Sequence, residues 1–198
     1  MTYAFLSLAG GARGLVFSGA LLSAALALGC GSKAAPAATS CDMACLDGVA
    51  LRSVRTTMKL AFNLTLQGKP VGPQDATVSC PNGGTAHLFG TVASNAIQGA
   101  TMVDLRYELT DCEYLAKEDH AERNFHLTLT GTLSEKGTLA VQPTATTALV
   151  IASSDLTLSG TVYDPPSPYS GSKCVLQVTQ DGNDVGGTMC GRAVGFSF

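Results

Sequence analysis

Beyond about residue 73 the apolar residues of this chain recur at every second position, and that period dictates strands. Val103, Leu105, Tyr107 and Leu109 alternate with Asp104, Arg106, Glu108 and Thr110. Phe125, Leu127, Leu129 and Leu133 alternate in the same way with His126, Thr128, Thr130 and Thr132. Leu156, Leu158 and Val162 repeat the pattern, as do Cys174, Leu176 and Val178 against Val175, Gln177 and Thr179. Successive side chains of a strand point to opposite faces, so one face is buried and the other wet, as in antiparallel sheets. Ser134-Glu-Lys-Gly137 and Asp181-Gly-Asn-Asp184 are predicted hairpin turns.

An internal echo adds curvature. Leu88-Phe-Gly-Thr-Val92, Leu129-Thr-Gly-Thr-Leu133 and Leu158-Ser-Gly-Thr-Val162 share one form, with Gly90, Gly131 and Gly160 in phase with the apolar face. Glycine there weakens a flat strand but permits a tight bend or the close approach of another backbone. The echoes are unevenly spaced, which argues against a solenoid. Apolar residues make up 45% of the chain, enough for a packed core. Twenty-two glycines and only 14% charged residues suit short strands and turns better than long helices. The predicted fold is therefore mainly β, an antiparallel curved sheet or barrel, with a sandwich as the alternative.

One N-terminal amphipathic helix precedes the strands. Leu46, Ala50, Val54, Met58 and Phe62 recur every four residues, which predicts a helix from Asp42 to about Phe62. Ser40 or Asp42 caps its start, and Gly48 costs it about 1 kcal/mol relative to Ala. A rival pattern, Met58, Leu60, Phe62, Leu64 and Leu66, has the period of a strand but covers fewer residues. Arg52, Arg55 and Lys59 cluster on what is predicted to be a solvated helix face. Gly68-Lys-Pro-Val-Gly-Pro73 then breaks the chain.

The first 29 residues have a separate task. Residues 14–28 form an apolar run shorter than the about 20 residues of a membrane-spanning helix, but suited to an export signal. Arg13 supplies its positive flank. Leu26-Ala-Leu-Gly-Cys30 resembles the lipobox of bacterial lipoproteins, with Leu26 one position early. The resemblance implies that residues 1–29 are a signal peptide and that Cys30 becomes the mature N-terminus. Cys30 would then carry a diacylglycerol thioether and an amide-linked acyl chain, a stable membrane anchor. Gly31, where an Asp commonly retains such proteins on the inner membrane, implies the outer membrane. Residues 31–40 read as a flexible tether and residues 41–198 as a single domain.

Seven cysteines leave six for pairing once Cys30 is set aside. Cys174 and Cys190 flank the Asp181–Asp184 turn symmetrically, so they face each other across a hairpin. Cys80 precedes Pro-Asn-Gly-Gly and Cys112 ends a strand, which allows a clip between strand ends. Cys41 and Cys45 are then left, strained in a regular helix but feasible in a frayed first turn. The arrangement from Cys80-Pro-Asn-Gly-Gly through a Gly-Thr-Val strand to Leu-Thr-Asp-Cys112 resembles one in uncharacterised bacterial surface lipoproteins. That resemblance implies no activity.

Candidate chemistry is thin. The net charge is −3, and removing residues 1–29 takes away only Arg13, leaving 11 basic and 15 acidic residues. A mildly acidic surface does not attract phosphate backbones, so no nucleic-acid partner is expected. His87, His120 and His126 are weak metal candidates that could meet Glu118 or Asp119, but their spacing forces nothing and unliganded surface histidines are expected. Cys41 and Cys45 lack the spacing of a redox pair. Tyr163-Asp-Pro-Pro-Ser-Pro-Tyr169 is predicted to be a stiff connector rather than a recognition loop. Val194-Gly-Phe-Ser-Phe198 alternates like the last strand of an outer-membrane barrel, yet a closing strand of an ordinary domain is the expectation. No hydrolase or phosphate-binding motif is present, and no cofactor is expected. The expected function is a non-enzymatic, lipid-anchored envelope module that binds or scaffolds something. A barrel carrier of an apolar or lipid ligand is the alternative, and an envelope hydrolase ranks third.

Overall fold

The structure, a computed structural model, describes residues 41–95, 99–140 and 145–198, all within one compact unit. One helix, α1 (Met43–Leu66), is followed by β1 (Gly72–Ser79), β2 (Gly83–Asn95), β3 (Ala100–Ala116) and β4 (Phe125–Ala140). Then come β5 (Ala148–Val162), β6 (Ser167–Asp181), β7 (Asp184–Met189) and β8 (Arg192–Ser197). Each strand pairs antiparallel with the next, so the sheet order is the chain order. Among the described residues β1 and β8 do not pair. The fold is thus the curved sheet with one helix, neither a closed barrel nor a sandwich.

Alternation sets the register as expected. Val103, Leu105, Tyr107 and Leu109 are all buried, and they face Gly137, Glu135, Leu133 and Gly131 on β4. Curvature comes from two devices. Register shifts interrupt the β3–β4, β4–β5 and β5–β6 ladders, and an irregularity of that kind bends and twists a strand. The in-phase glycines supply the other. Gly90 has φ +139°, and a Cβ there would stand 2.1 Å from the Asp104 carbonyl oxygen. Gly160, at φ +141°, would meet the His126 carbonyl oxygen at 2.1 Å. Any side chain at either position would both collide with the neighbouring strand and sit in a region that L-residues avoid.

The predicted turn at Ser134–Gly137 is not a turn. β4 runs straight through it, and Glu135 points inward, where it is 1% exposed. Polar residues marked this stretch as a loop, but a partner from α1 makes burial of the carboxylate tolerable. Asp181–Asp184 is a hairpin turn joining β6 to β7.

α1 extends to Leu66, a turn beyond the predicted end, so the rival strand over Met58–Leu66 is not formed. Asp42 caps it, accepting a hydrogen bond from the Cys45 amide at 2.9 Å. The helix lies in the concavity of the sheet and packs most heavily against the edge strands, β8 and then β1. Gly48 has a packing reason: a Cβ there would be 3.1 Å from the Gly195 carbonyl oxygen of β8. Leu51 and Met58 of α1 fill the interior together with Leu88, Leu105, Tyr107, Leu127, Leu129 and Leu176. Each such side chain contributes about 1.5–3 kcal/mol by leaving water. Among the described residues no helix is long and apolar enough to cross a membrane.

Arg55 departs from the predicted solvated face. It is 4% exposed, whereas Lys59, one turn further on, stands in solvent. Four residues after Leu51 it lies on the same buried face, and its long side chain brings a guanidinium into the interior.

Candidate functional site

In an antiparallel meander the connections alternate between two ends. The β1–β2, β3–β4, β5–β6 and β7–β8 connections lie at one end and the β2–β3, β4–β5 and β6–β7 connections at the other. α1 begins at the first end and finishes at the second, and its 24 residues span about 36 Å.

At the first end, Asp47 of α1 is almost wholly buried and holds two partners. The Tyr169 hydroxyl donates to it at 2.6 Å, and Arg192 donates through Nε and Nη2 at 2.6 and 2.7 Å. Burial opposes the Asp47 charge, but the hydrogen bonds from Arg192 and Tyr169 and the guanidinium charge outweigh it, and its pKa lies below the ordinary value. Burial and the Asp47 carboxylate raise the pKa of Tyr169, so it remains a phenol and a donor. The second tyrosine of the Tyr163–Tyr169 loop is therefore turned into the domain, not presented to a partner.

Toward the second end a different cluster crosses the interior. Arg55 donates through Nε to Gln180 Oε1 at 2.7 Å and places Nη1 3.2 Å from Glu135 Oε1. Tyr107 donates its hydroxyl to Glu135 Oε2. All four residues are buried. Burial, then the charge of Glu135, pushes the Tyr107 pKa far up, which keeps that proton in place. Glu135 Oε1 accepts no hydrogen bond from the described residues.

Beside this cluster lies a cavity of about 680 Å³. Arg55, Glu135 and Gln180 form its buried side, and Phe62, Leu66, Val92 and Leu139 form apolar walls. Lys59, Lys69 and Phe198 line it from the exposed side. The middle of the sheet, in contrast, is occupied by side chains of α1. The volume is in the range of sites for small organic ligands, about 300–1,000 Å³.

The histidines are dispersed. His87 reaches Asp75 at 2.9 Å and Glu108 at 3.2 Å across β1, β2 and β3, on the outer face. Its pKa is raised by the hydrogen bonds to Asp75 and then Glu108. His126 pairs with Glu113, and His120 approaches Glu122 at 3.9 Å. Neither Glu118 nor Asp119 is a partner of these rings; Glu118 pairs with Arg123 instead. His87 and His126 face β3 residues Glu108 and Leu115, seven positions apart, so the rings do not converge. Among the described residues no group of three or more such side chains could hold a metal.

Disulfides join Cys41 to Cys45, Cys80 to Cys112 and Cys174 to Cys190. Cys30 lies outside the described residues. β8 is a six-residue edge strand whose Phe196 lies under the Arg52 guanidinium, 4.5 Å from the ring centre.

Sequence reasoning missed Asp47, Arg55, Glu135 and Gln180, although a signal for them exists. Glu135 continues the phase of Leu127, Leu129 and Leu133, and Gln180 that of Cys174, Leu176 and Val178. Asp47 and Arg55 are each four positions from Leu51 on the helix. A polar residue in an apolar phase marks an inward group that needs a partner. No protein-family model matches the chain, and no curated protein or solved structure matches it.

Proposed function

We propose that this chain is a lipid-anchored lipoprotein of the cell envelope whose domain is a non-enzymatic binding module, and that the end cavity is its binding site. The observation that carries the binding site is the cavity of about 680 Å³ at the end of α1 opposite Cys41. A chain tethered through Cys41 leaves that end of the domain accessible. Three disulfides fit an oxidising compartment, where such bridges persist. The lipobox resemblance at Cys30, with Gly31 after it, supports an acylated N-terminus and the outer membrane.

Binding is favoured over catalysis because the buried polar groups beside the cavity engage one another. Glu135 is held by Arg55 and Tyr107, and the histidine–carboxylate pairs lie on the outer face of the sheet. The carrier alternative is supported at this cavity, whose walls are apolar, and not at the middle of the sheet, where α1 fills the space.

Two measurements test the proposal. Cys30→Ser should release the protein from membranes on cell fractionation; a variant that sediments like the parent defeats the anchor. Native mass spectrometry of the purified protein should find a small ligand that Leu139→Trp, which fills the cavity, excludes. Equal retention by both proteins defeats the binding site.

A further inference from the structure

We infer that the cavity takes a single-chain amphipathic anion, an acyl chain ending in a carboxylate. The chain lies against Phe62, Leu66, Val92 and Leu139, and the carboxylate sits between Lys59 and Lys69. This rests on the cavity being the binding site and adds the chemistry of its occupant.

Charge bookkeeping selects the sign. Every acidic residue of the sequence falls within the described segments, because residues 1–40, 96–98 and 141–144 contain none. Of those fifteen carboxylates only Glu135 lines the cavity, and Arg55 already faces it at 3.2 Å. That pair cancels. Phe198, which also lines the cavity, carries the terminal carboxylate, so Lys59 and Lys69 together leave one net positive charge; neither lysine forms an ion pair with a described carboxylate. Lys59 instead holds its ammonium 5.7 Å from the Phe198 ring centre, a weak contact that a carboxylate would surpass.

Position follows from the same groups. An anion pushed to the buried side would meet the Glu135 carboxylate, while the Arg55 Nε is committed to Gln180. The head group therefore stays with the two exposed lysines. Phe62, Leu66, Val92 and Leu139 offer apolar contact to the rest of the molecule. A positively charged head would lie beside two ammonium groups, and a neutral one would gain no charge attraction from them.

The test compares dodecanoate, dodecanol and dodecyltrimethylammonium, each as monomer, by titration calorimetry with the mature protein carrying Cys30→Ser. Dodecanoate is expected to bind about tenfold more tightly than dodecanol, because solvent-exposed ion pairs add only modestly to affinity. The preference should shrink in high salt and vanish in Lys59→Gln/Lys69→Gln, whose substitutions lie on exposed side chains. Equal binding of dodecanoate and dodecanol overturns the anionic head and leaves the binding site standing. Tighter binding of the ammonium does the same. Capture by phosphatidylglycerol vesicles without binding of free dodecanoate overturns the single chain in favour of a membrane surface. Failure of all three ligands and of the vesicles removes the binding site itself.

Discussion

The two ends of this domain solve the same problem differently. At each, a charged residue of α1 is taken into the sheet and met by partners from strands distant in sequence. Asp47 meets Tyr169 and Arg192, and the Arg192 side chain remains 45% exposed. Arg55 meets Glu135 and Gln180, with both members of the ion pair at 5% exposure or less. The first network keeps one foot in water; the second has none. Buried charge is tolerable only with good partners, so the second network is the more fragile, and a cavity lies against it. The more exposed network is also on the side of the connections that carry Cys80 and Cys190. One end is fastened and the other is left with room.

The contrast can be broken by substitution. Glu135→Ala should have the largest effect, about 3–5 kcal/mol lost in urea unfolding, because it strands the Arg55 charge in the interior. Replacing both, as Arg55→Met with Glu135→Leu, should recover most of that loss. A Glu135→Ala protein as stable as its parent would mean that water reaches Arg55 and that the two ends do not differ.

Asp47→Ala should cost less, about 2 kcal/mol, since Arg192 can turn outward and only Tyr169 loses a buried partner. If it exceeds Glu135→Ala, the ranking of the two networks is inverted.

Acid sharpens the first end. The folded pKa of Asp47 lies below its ordinary value of 3.8, so its contribution is complete above that value and is lost as pH falls through the folded pKa. Asp47→Asn should flatten the dependence of the urea midpoint on pH from about 4 downward. An unchanged acid limb would show that other carboxylates carry it.

The smallest effect belongs to the outer face, which serves as the baseline. The His87 pKa is raised by Asp75 and Glu108, so its contribution is complete below about pH 6.5 and fades as pH rises through the folded value. His87→Gln should remove a slight loss of stability on that alkaline side while leaving the acid limb alone. An effect as large as that of Asp47→Ala would place the strength of the fold on its surface.

Leu127, Leu129 and Leu133 announce β4, yet Glu135 in the same phase reads as part of a turn, because Glu, Lys and Gly together have turn composition. Arg55 reads as solvent-facing for a parallel reason: with Arg52 and Lys59 nearby, a charged cluster on a helix is ordinarily wet. Each of these residues is intelligible only beside the other, and they are 80 positions apart.

What the sequence determined by itself was whatever depends on neighbours along the chain. The two-residue period, the capped helix, the bend-permitting glycines and the hairpin at Asp181–Asp184 are local, and local sterics and hydrogen bonding specify them. Tertiary structure alone decided that α1 would lie in the concavity, that the sheet would stay open, and where a cavity would remain. Those outcomes depend on how volumes and charges brought from distant positions fit together, and no periodicity in one segment encodes the shape of its partner.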